Sequence, residues 1–95
     1  MVKLKLQFSD DVIIGLVEIA NFYEQKQSGL GGRFMKYFEK HVLPLEEQAN
    51  LGRIGKVFGT RELVLQDFPY IVVYRVRKTL VQLLLAYHQT PRYPT

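Results

Sequence analysis

Residues 2–8 alternate apolar and polar positions, with Val2, Leu4, Leu6 and Phe8 on one side and Lys3, Lys5 and Gln7 on the other. A period of two is that of a half-buried strand. Ser9-Asp10-Asp11 then offers capping oxygens and negative charge for a helix start. From Val12 to about Lys26 the apolar positions recur at three and four: Val12, Ile13, Leu16, Val17, Ile19, Ala20 and Tyr23. This spacing predicts an amphipathic helix with one packed and one wet face. Three glycines within Ser28–Gly32 cost too much chain entropy for a helix interior, so a turn is predicted there. The helical period resumes from Arg33 to about Gln48 with Phe34, Tyr37, Phe38, His41, Val42 and Leu45, and Pro44 predicts a kink or restart. The two helices form a hairpin. Residues 50–60 hold three glycines and no clean period, which reads as a loop carrying Arg53 and Lys56.

Three further strands are predicted, over 61–66, 70–76 and 80–87, with connections short enough for hairpins. Tyr70–Val76 is apolar at nearly every residue, as in a central strand, and 61–66 reads as a strand nearer an edge. The order strand, helix, helix, strand, strand, strand implies an α+β fold, β-α-α-β-β-β, with a helix hairpin on one face of a mostly antiparallel sheet and the other face partly open. The first strand has no tight hairpin partner, so it joins the sheet after the helices have crossed. With 95 residues the chain makes one domain, 1–95, because two would each be too short to bury a core.

Composition narrows the class. Hydrophobic residues at 47 % with 23 % charged decide against a disordered chain. No Cys is present, which removes disulfide frameworks, zinc ribbons and thiol nucleophiles and fits a reducing compartment. No run approaches the ~18 apolar residues of a membrane span, and the amino terminus lacks the apolar block of a signal peptide, so a cytoplasmic protein is expected. The charge of +4 is uneven. Residues 1–49 carry six bases against seven acids, while residues 50–95 carry seven bases against Glu62 and Asp67. A basic half attracts nucleic acid, an acidic protein, or both.

On the central strand Ile71, Val73 and Arg75 share a face, which makes Arg75 an isolated cation among apolar residues. It either pairs with a carboxylate such as Glu62 or binds an anion. In the last strand, Gln82, Leu84, Ala86 and His88 share a face by alternation, which would bring His88 near Arg61 or Arg75. Such a group could bind phosphate. With His88 as acid or base and Arg61, Arg75 and Arg92 supplying charge, it has the outline of metal-independent RNA cleavage, although no second acid or base is evident beyond Tyr87 and Tyr93. The structural alternative for His88 is a surface or capping residue, and His41 reads as a core or interface histidine. Phosphate-binding glycine loop, HExxH, nucleophile elbow and metal-ligand spacing are all missing, so neither metal nor other cofactor is expected.

Gly59-Thr60-Arg61-Glu62-Leu63-Val64-Leu65, Pro69-Tyr70-Ile71-Val72-Val73-Tyr74-Arg75-Val76, and then His88 and Arg92-Tyr93-Pro94 together resemble the RelE/ParE superfamily of toxins from bacterial type II toxin–antitoxin modules. The resemblance spans nearly the whole chain. It implies a growth-inhibiting toxin neutralised by a small, partly disordered antitoxin that wraps it, with operator DNA contacted only through that antitoxin. RelE-like members cut mRNA on the ribosome, and ParE-like members poison DNA gyrase. Ile71 stands where RelE-like nucleases have Arg, and the basic cluster on their second helix is represented only by Arg33, Lys36 and Lys40. The resemblance therefore leans to a ParE-like, non-enzymatic gyrase inhibitor, with a ribosome-dependent endoribonuclease as one alternative and an inactive relic that binds only its antitoxin as another. Under the nuclease alternative His88, Arg61 and Arg75 are catalytic. In either case Arg53, Lys56, Arg61, Arg75, Arg92 and Tyr93 are the expected contacts to nucleic acid or target. The basic half and open sheet suit an acidic amphipathic segment of the antitoxin, to which Phe34, Tyr37 and Phe38 could add apolar contact.

Overall fold

Ser9 ends the first strand and starts the first helix, and its hydroxyl does both jobs. In the computed structural model, which describes residues 3–90, β1 (Lys5–Phe8) runs into Ser9, whose Oγ accepts from the Val12 N–H at 3.0 Å and caps α1 (Asp10–Lys26). Such a cap stabilises a helix by about 1 kcal/mol. The same hydroxyl donates to the Leu84 carbonyl at 3.0 Å, tying the helix start to the last strand.

The helix hairpin closes more tightly than its glycines suggest. The second helix, α2 (Leu30–Val42), begins three residues before the predicted start, so Gly31 and Gly32 are helical and only Gly29 takes a left-handed φ of 88°. Two contacts offset the entropy cost of a glycine-rich first turn. The Glu24 carboxylate of α1 accepts from the Gly29 and Gly31 N–H groups at 2.9 and 3.0 Å, satisfying donors that a helix start otherwise leaves open. Gly31 is buried where the helices meet: a Cβ there would lie 2.5 Å from the Ala20 carbonyl oxygen. At Pro44 the helix gives way, as predicted, to a 3-10 turn over Leu43–Glu46.

Four strands complete the sheet: β2 (Arg53–Ile54), β3 (Arg61–Val64), β4 (Tyr70–Arg77) and β5 (Leu80–His88). The strand order is β1-β5-β4-β3-β2. β1 joins parallel to β5, after the helices have crossed, and all other pairs are antiparallel. The two-residue β2 lies in what the sequence presents as loop, because a pairing of Arg53 with Glu62 and Ile54 with Arg61 leaves no periodic trace. Phe34, Phe38 and Val42 of α2 meet Val72 and Tyr74 of β4 and Leu83 of β5 in the core. Full burial of such side chains contributes about 1.5–3 kcal/mol each. Tyr23, Phe34, Phe68 and Tyr70 extend it as an aromatic cluster in which Tyr23 and Phe34 stack and Phe68 meets both edge-on, 5.0 Å from Tyr23 and 5.4 Å from Phe34.

One irregularity governs where the candidate site residues point. The register of β4 with β5 shifts between Val73 and Tyr74: Val73 pairs with Leu85 and Tyr74 with Leu83, so Leu84 is an extra residue in a β-bulge. Its carbonyl is the one that Ser9 takes. Beyond the bulge the alternation of β5 flips. Gln82, opposite Arg75, faces away from the helices, whereas Ala86 and His88, opposite Val72 and Tyr70, face toward them. The face shared by Gln82, Ala86 and His88, expected from simple alternation, is therefore split by the bulge.

Candidate functional site

His88 sits at one end of the β4–β5 pair, its ring 5.2 Å edge-on from Tyr70 and its Nδ1 2.8 Å from the Thr90 carbonyl oxygen. Arg75 lies five residues along β4 from the His88 pairing partner, roughly 16 Å away on strand geometry, and on the opposite face. Arg61 pairs with Tyr74, four residues and roughly 13 Å from that partner, and donates from its guanidinium to the Gly52 carbonyl at 2.8 Å. The structure thus does not bring His88, Arg61 and Arg75 around one point. Arg92 and Tyr93 lie outside the described residues. His41 is half-buried, its Nδ1 2.8 Å from the Tyr37 carbonyl oxygen and its ring against that of Tyr37.

The helix-free face of the sheet carries the cations that do assemble. Arg75 donates from Nε to Gln82 Oε1 at 2.7 Å, and Gln82 donates in turn to Gln7 at 2.6 Å, giving a polar row across β4, β5 and β1. One step along, Arg77, Leu80 and Lys5 form the next row, and Lys78 follows in the β4–β5 turn with a left-handed φ of 55°. Arg77, Lys5 and Lys78 are exposed. Lys5 and Gln7 come from the first half of the chain, and only the parallel β1–β5 pairing places them in the same rows as Arg77 and Arg75.

Arg53, Lys56 and Arg61 belong to a second cationic group around the 50–60 segment. Glu62 is 4 % exposed on the helix-free face, and Arg53 meets it through two guanidinium nitrogens, Nε at 3.0 Å and Nη2 at 2.9 Å. The Lys56 backbone N–H donates to its other oxygen at 3.3 Å. Burial pushes the Glu62 pKa upward, but the Arg53 hydrogen bond, the Lys56 N–H and the two positive charges outweigh it and hold the carboxyl below the usual carboxylate range. The structural ion pair to Glu62 is therefore made by Arg53, not Arg75. Tyr74, fully buried, anchors the same segment from the helix side: its hydroxyl donates to the Ala49 carbonyl at 2.6 Å and accepts from the Gly52 N–H at 2.8 Å. Burial raises its pKa above the usual phenol value against the opposing effects of the Gly52 N–H and Arg61, so the donor stays protonated.

A third surface is apolar. Phe34 and Phe38 are fully buried, and the Tyr37 hydroxyl accepts from the Gln66 and Asp67 N–H groups at 2.9 and 3.0 Å, so these aromatics belong to the fold. The apolar stripe of α1, by contrast, is wider than its core contact. Val12 and Leu16 are buried, whereas Ile13, Ile14 and Val17 are 46 %, 57 % and 53 % exposed. Ile13 and Val17 line an open groove of about 400 Å³ with Phe8 and Met35. Among the described residues no cluster of three or more His, Asp or Glu side chains could hold a metal, and no helix is long and apolar enough to cross a membrane.

Comparison with known proteins places this arrangement. A protein of Sinorhizobium fredii named "Putative toxin Y4kP" is 34 % identical over 79 residues, which cover 83 % of this chain and 81 % of that protein. A solved chain from the chromosomal ParDE TA system from P. aeruginosa has the same fold, with a TM-score of 0.82 at 24 % identity over 93 % of this chain and 98 % of its own. Residues 6–90, from the parallel strand β1 through the end of β5, match the ParE toxin of the type II toxin–antitoxin system parDE, and the chain belongs to that toxin family.

Proposed function

We propose that this toxin arrests growth by poisoning DNA gyrase and that a cognate antitoxin holds it inactive in the cytoplasm. The observation that carries the choice of target is the β4–β5 register, which sets His88 and Arg75 far apart on opposite faces. Cleaving RNA without metal needs an acid or base and cations gathered at one phosphate. His88, Arg61 and Arg75 are not gathered in that way. Ile71, at the position where RelE-like nucleases carry arginine, is 6 % exposed and flanked in register by Val64 and Tyr87. An aliphatic side chain there supplies no charge to phosphate.

The antitoxin reading rests on two surfaces that lie along the β1 side of the molecule. The groove lined by Phe8, Ile13, Val17 and Met35 suits the apolar face of an amphipathic helix. The exposed cations of the opposite, helix-free sheet face, Lys5 and Arg77, suit acidic residues of a segment that continues from the groove round the β1 edge, whose charge speeds encounter while apolar contacts set the lifetime. Operator DNA is reached through the antitoxin.

The test is a supercoiling assay with purified gyrase, relaxed plasmid and increasing toxin. Supercoiling falls, cleaved plasmid accumulates, and stoichiometric antitoxin restores activity. Full supercoiling at a large excess of folded toxin contradicts the proposal, and the absence of any growth defect on expression without the antitoxin identifies the chain as a relic.

A further inference from the structure

The β2–β3 hairpin exposes three large apolar side chains. Ile54, Val57 and Phe58 are 81 %, 66 % and 102 % exposed. In a soluble domain a fully exposed phenylalanine between two exposed aliphatic residues marks an interaction surface more than a packing accident.

This knuckle is closed on itself and fastened to the sheet by hydrogen bonds. Its base is closed by the Gly55 N–H donating to the Thr60 carbonyl at 2.9 Å, and its tip by the Thr60 N–H and hydroxyl, both donating to the Val57 carbonyl at 3.1 and 2.6 Å. Gly59 takes the left-handed φ of 82° that the turn requires. Below the tip, the Glu62–Arg53 pair, the Lys56 N–H and the Arg61 bond to Gly52 fasten the loop to the sheet. A loop already fixed in one shape loses little entropy on binding.

The chemistry of the tip selects its partner. Arg53 and Arg61 are engaged with Glu62 and the Gly52 carbonyl, so the only other cation on the segment is Lys56, which is exposed. One lysine beside three apolar side chains is a weak match to a phosphate chain and a good match to a dry pocket with a carboxylate at its rim. The knuckle also lies at the β2 edge of the sheet, whereas the helix groove lies at the β1 edge. Four interstrand spacings, roughly 19 Å, separate the two edges.

We propose that the 54–60 knuckle is the element that enters the toxin's protein target, with Phe58 filling an apolar pocket and Lys56 meeting an acidic rim. This rests on the gyrase reading for the target's name but not for its own test. The experiment compares wild type, Phe58→Ala and Lys56→Glu in three measurements: growth arrest on induction, gyrase supercoiling, and affinity for the antitoxin. Phe58→Ala is expected to abolish arrest and raise the inhibitory concentration against gyrase at least about 30-fold, as loss of a central aromatic anchor does. Its melting temperature and antitoxin affinity stay within error of wild type. Lys56→Glu gives a smaller loss. Undiminished arrest by Phe58→Ala overturns the proposal. So does a parallel loss of antitoxin affinity, which would assign the knuckle to that interface, or a large effect of Lys56→Glu with none at Phe58, which would point to nucleic acid. If wild type arrests growth and Phe58→Ala does not, while neither touches supercoiling, the knuckle stands and the gyrase reading fails.

Discussion

Gly31 and Gly32 are neighbours in the first turn of α2, yet replacing each by alanine should move stability in opposite directions. In either position alanine gains about 0.5–1 kcal/mol over glycine in a helix. At Gly32 nothing lies within 4 Å of the added Cβ, so that gain stands alone. At Gly31 the methyl group would sit 2.5 Å from the Ala20 carbonyl oxygen, against about 3.4 Å for an ordinary contact, so the helices must part by roughly 0.9 Å. Ala20 is backbone within a helix and cannot swing aside. Forcing an extra carbon into a packed contact costs about 1–3 kcal/mol. Parting the helices also strains the bonds by which Glu24 caps Gly29 and Gly31. The steric cost wins, leaving Gly31→Ala about 1–2 kcal/mol less stable, a fall of roughly 5–15 °C in Tm for a domain of this size. Gly32→Ala rises by a few degrees. Thermal melts followed by circular dichroism read both, and a Gly31→Ala protein that melts with or above Gly32→Ala would refute the close helix contact.

Tyr74→Phe removes the hydroxyl that joins Ala49 to Gly52 and should cost about 1–3 kcal/mol, read as a lower urea midpoint; an unchanged midpoint means that this bridge contributes nothing. Because the Glu62 pKa is depressed in the folded state, its contribution is full above the unfolded carboxylate value and is lost as pH falls through the folded one. Wild type should therefore lose urea resistance on acidification through and below pH 4.5 more steeply than Glu62→Gln, and parallel pH profiles would contradict this. Val17→Ser, at a half-exposed groove position, should weaken antitoxin binding by about tenfold or more in calorimetry while shifting stability by no more than about 0.5 kcal/mol. His88→Ala should arrest growth as well as wild type does, and a non-toxic, folded, antitoxin-binding variant would revive the nuclease alternative.

Most of the fold is legible in the chain because most of it follows periodicity. The alternation through Leu4, Leu6 and Phe8, the Ser9 cap, the stop at Pro44 and the apolar run of β4 each encode an element directly. What escapes is set by contacts distant in sequence. The early start of α2 depends on Glu24 reaching Gly29 and Gly31, and β2 exists through its pairing with Glu62 and Arg61. At the candidate site the bulge at Leu84 has the largest effect. Alternation alone puts Gln82 and His88 on one face, and a single extra residue, whose carbonyl is satisfied by Ser9, puts them on opposite faces. Arg53, Lys56, Arg61 and Arg75 are visible as a basic set, but which of them is engaged by Glu62 or Gly52 is a matter of three-dimensional pairing. Lys5 and Arg77 come into one row, on either side of Leu80, only through a strand crossover spanning most of the chain. Exposure of Ile13, Ile14 and Val17 has a sequence signal in retrospect: the apolar stripe of α1 is too broad for one helix packed on one face of a small sheet.

The toxin's target is tested most directly by giving one preparation of folded toxin two substrates: gyrase with relaxed plasmid, and ribosomes programmed with a defined mRNA. Inhibited supercoiling with accumulated DNA cleavage, intact mRNA, and relief by the antitoxin is the predicted result. Untouched supercoiling together with mRNA cut at the ribosomal site would contradict it.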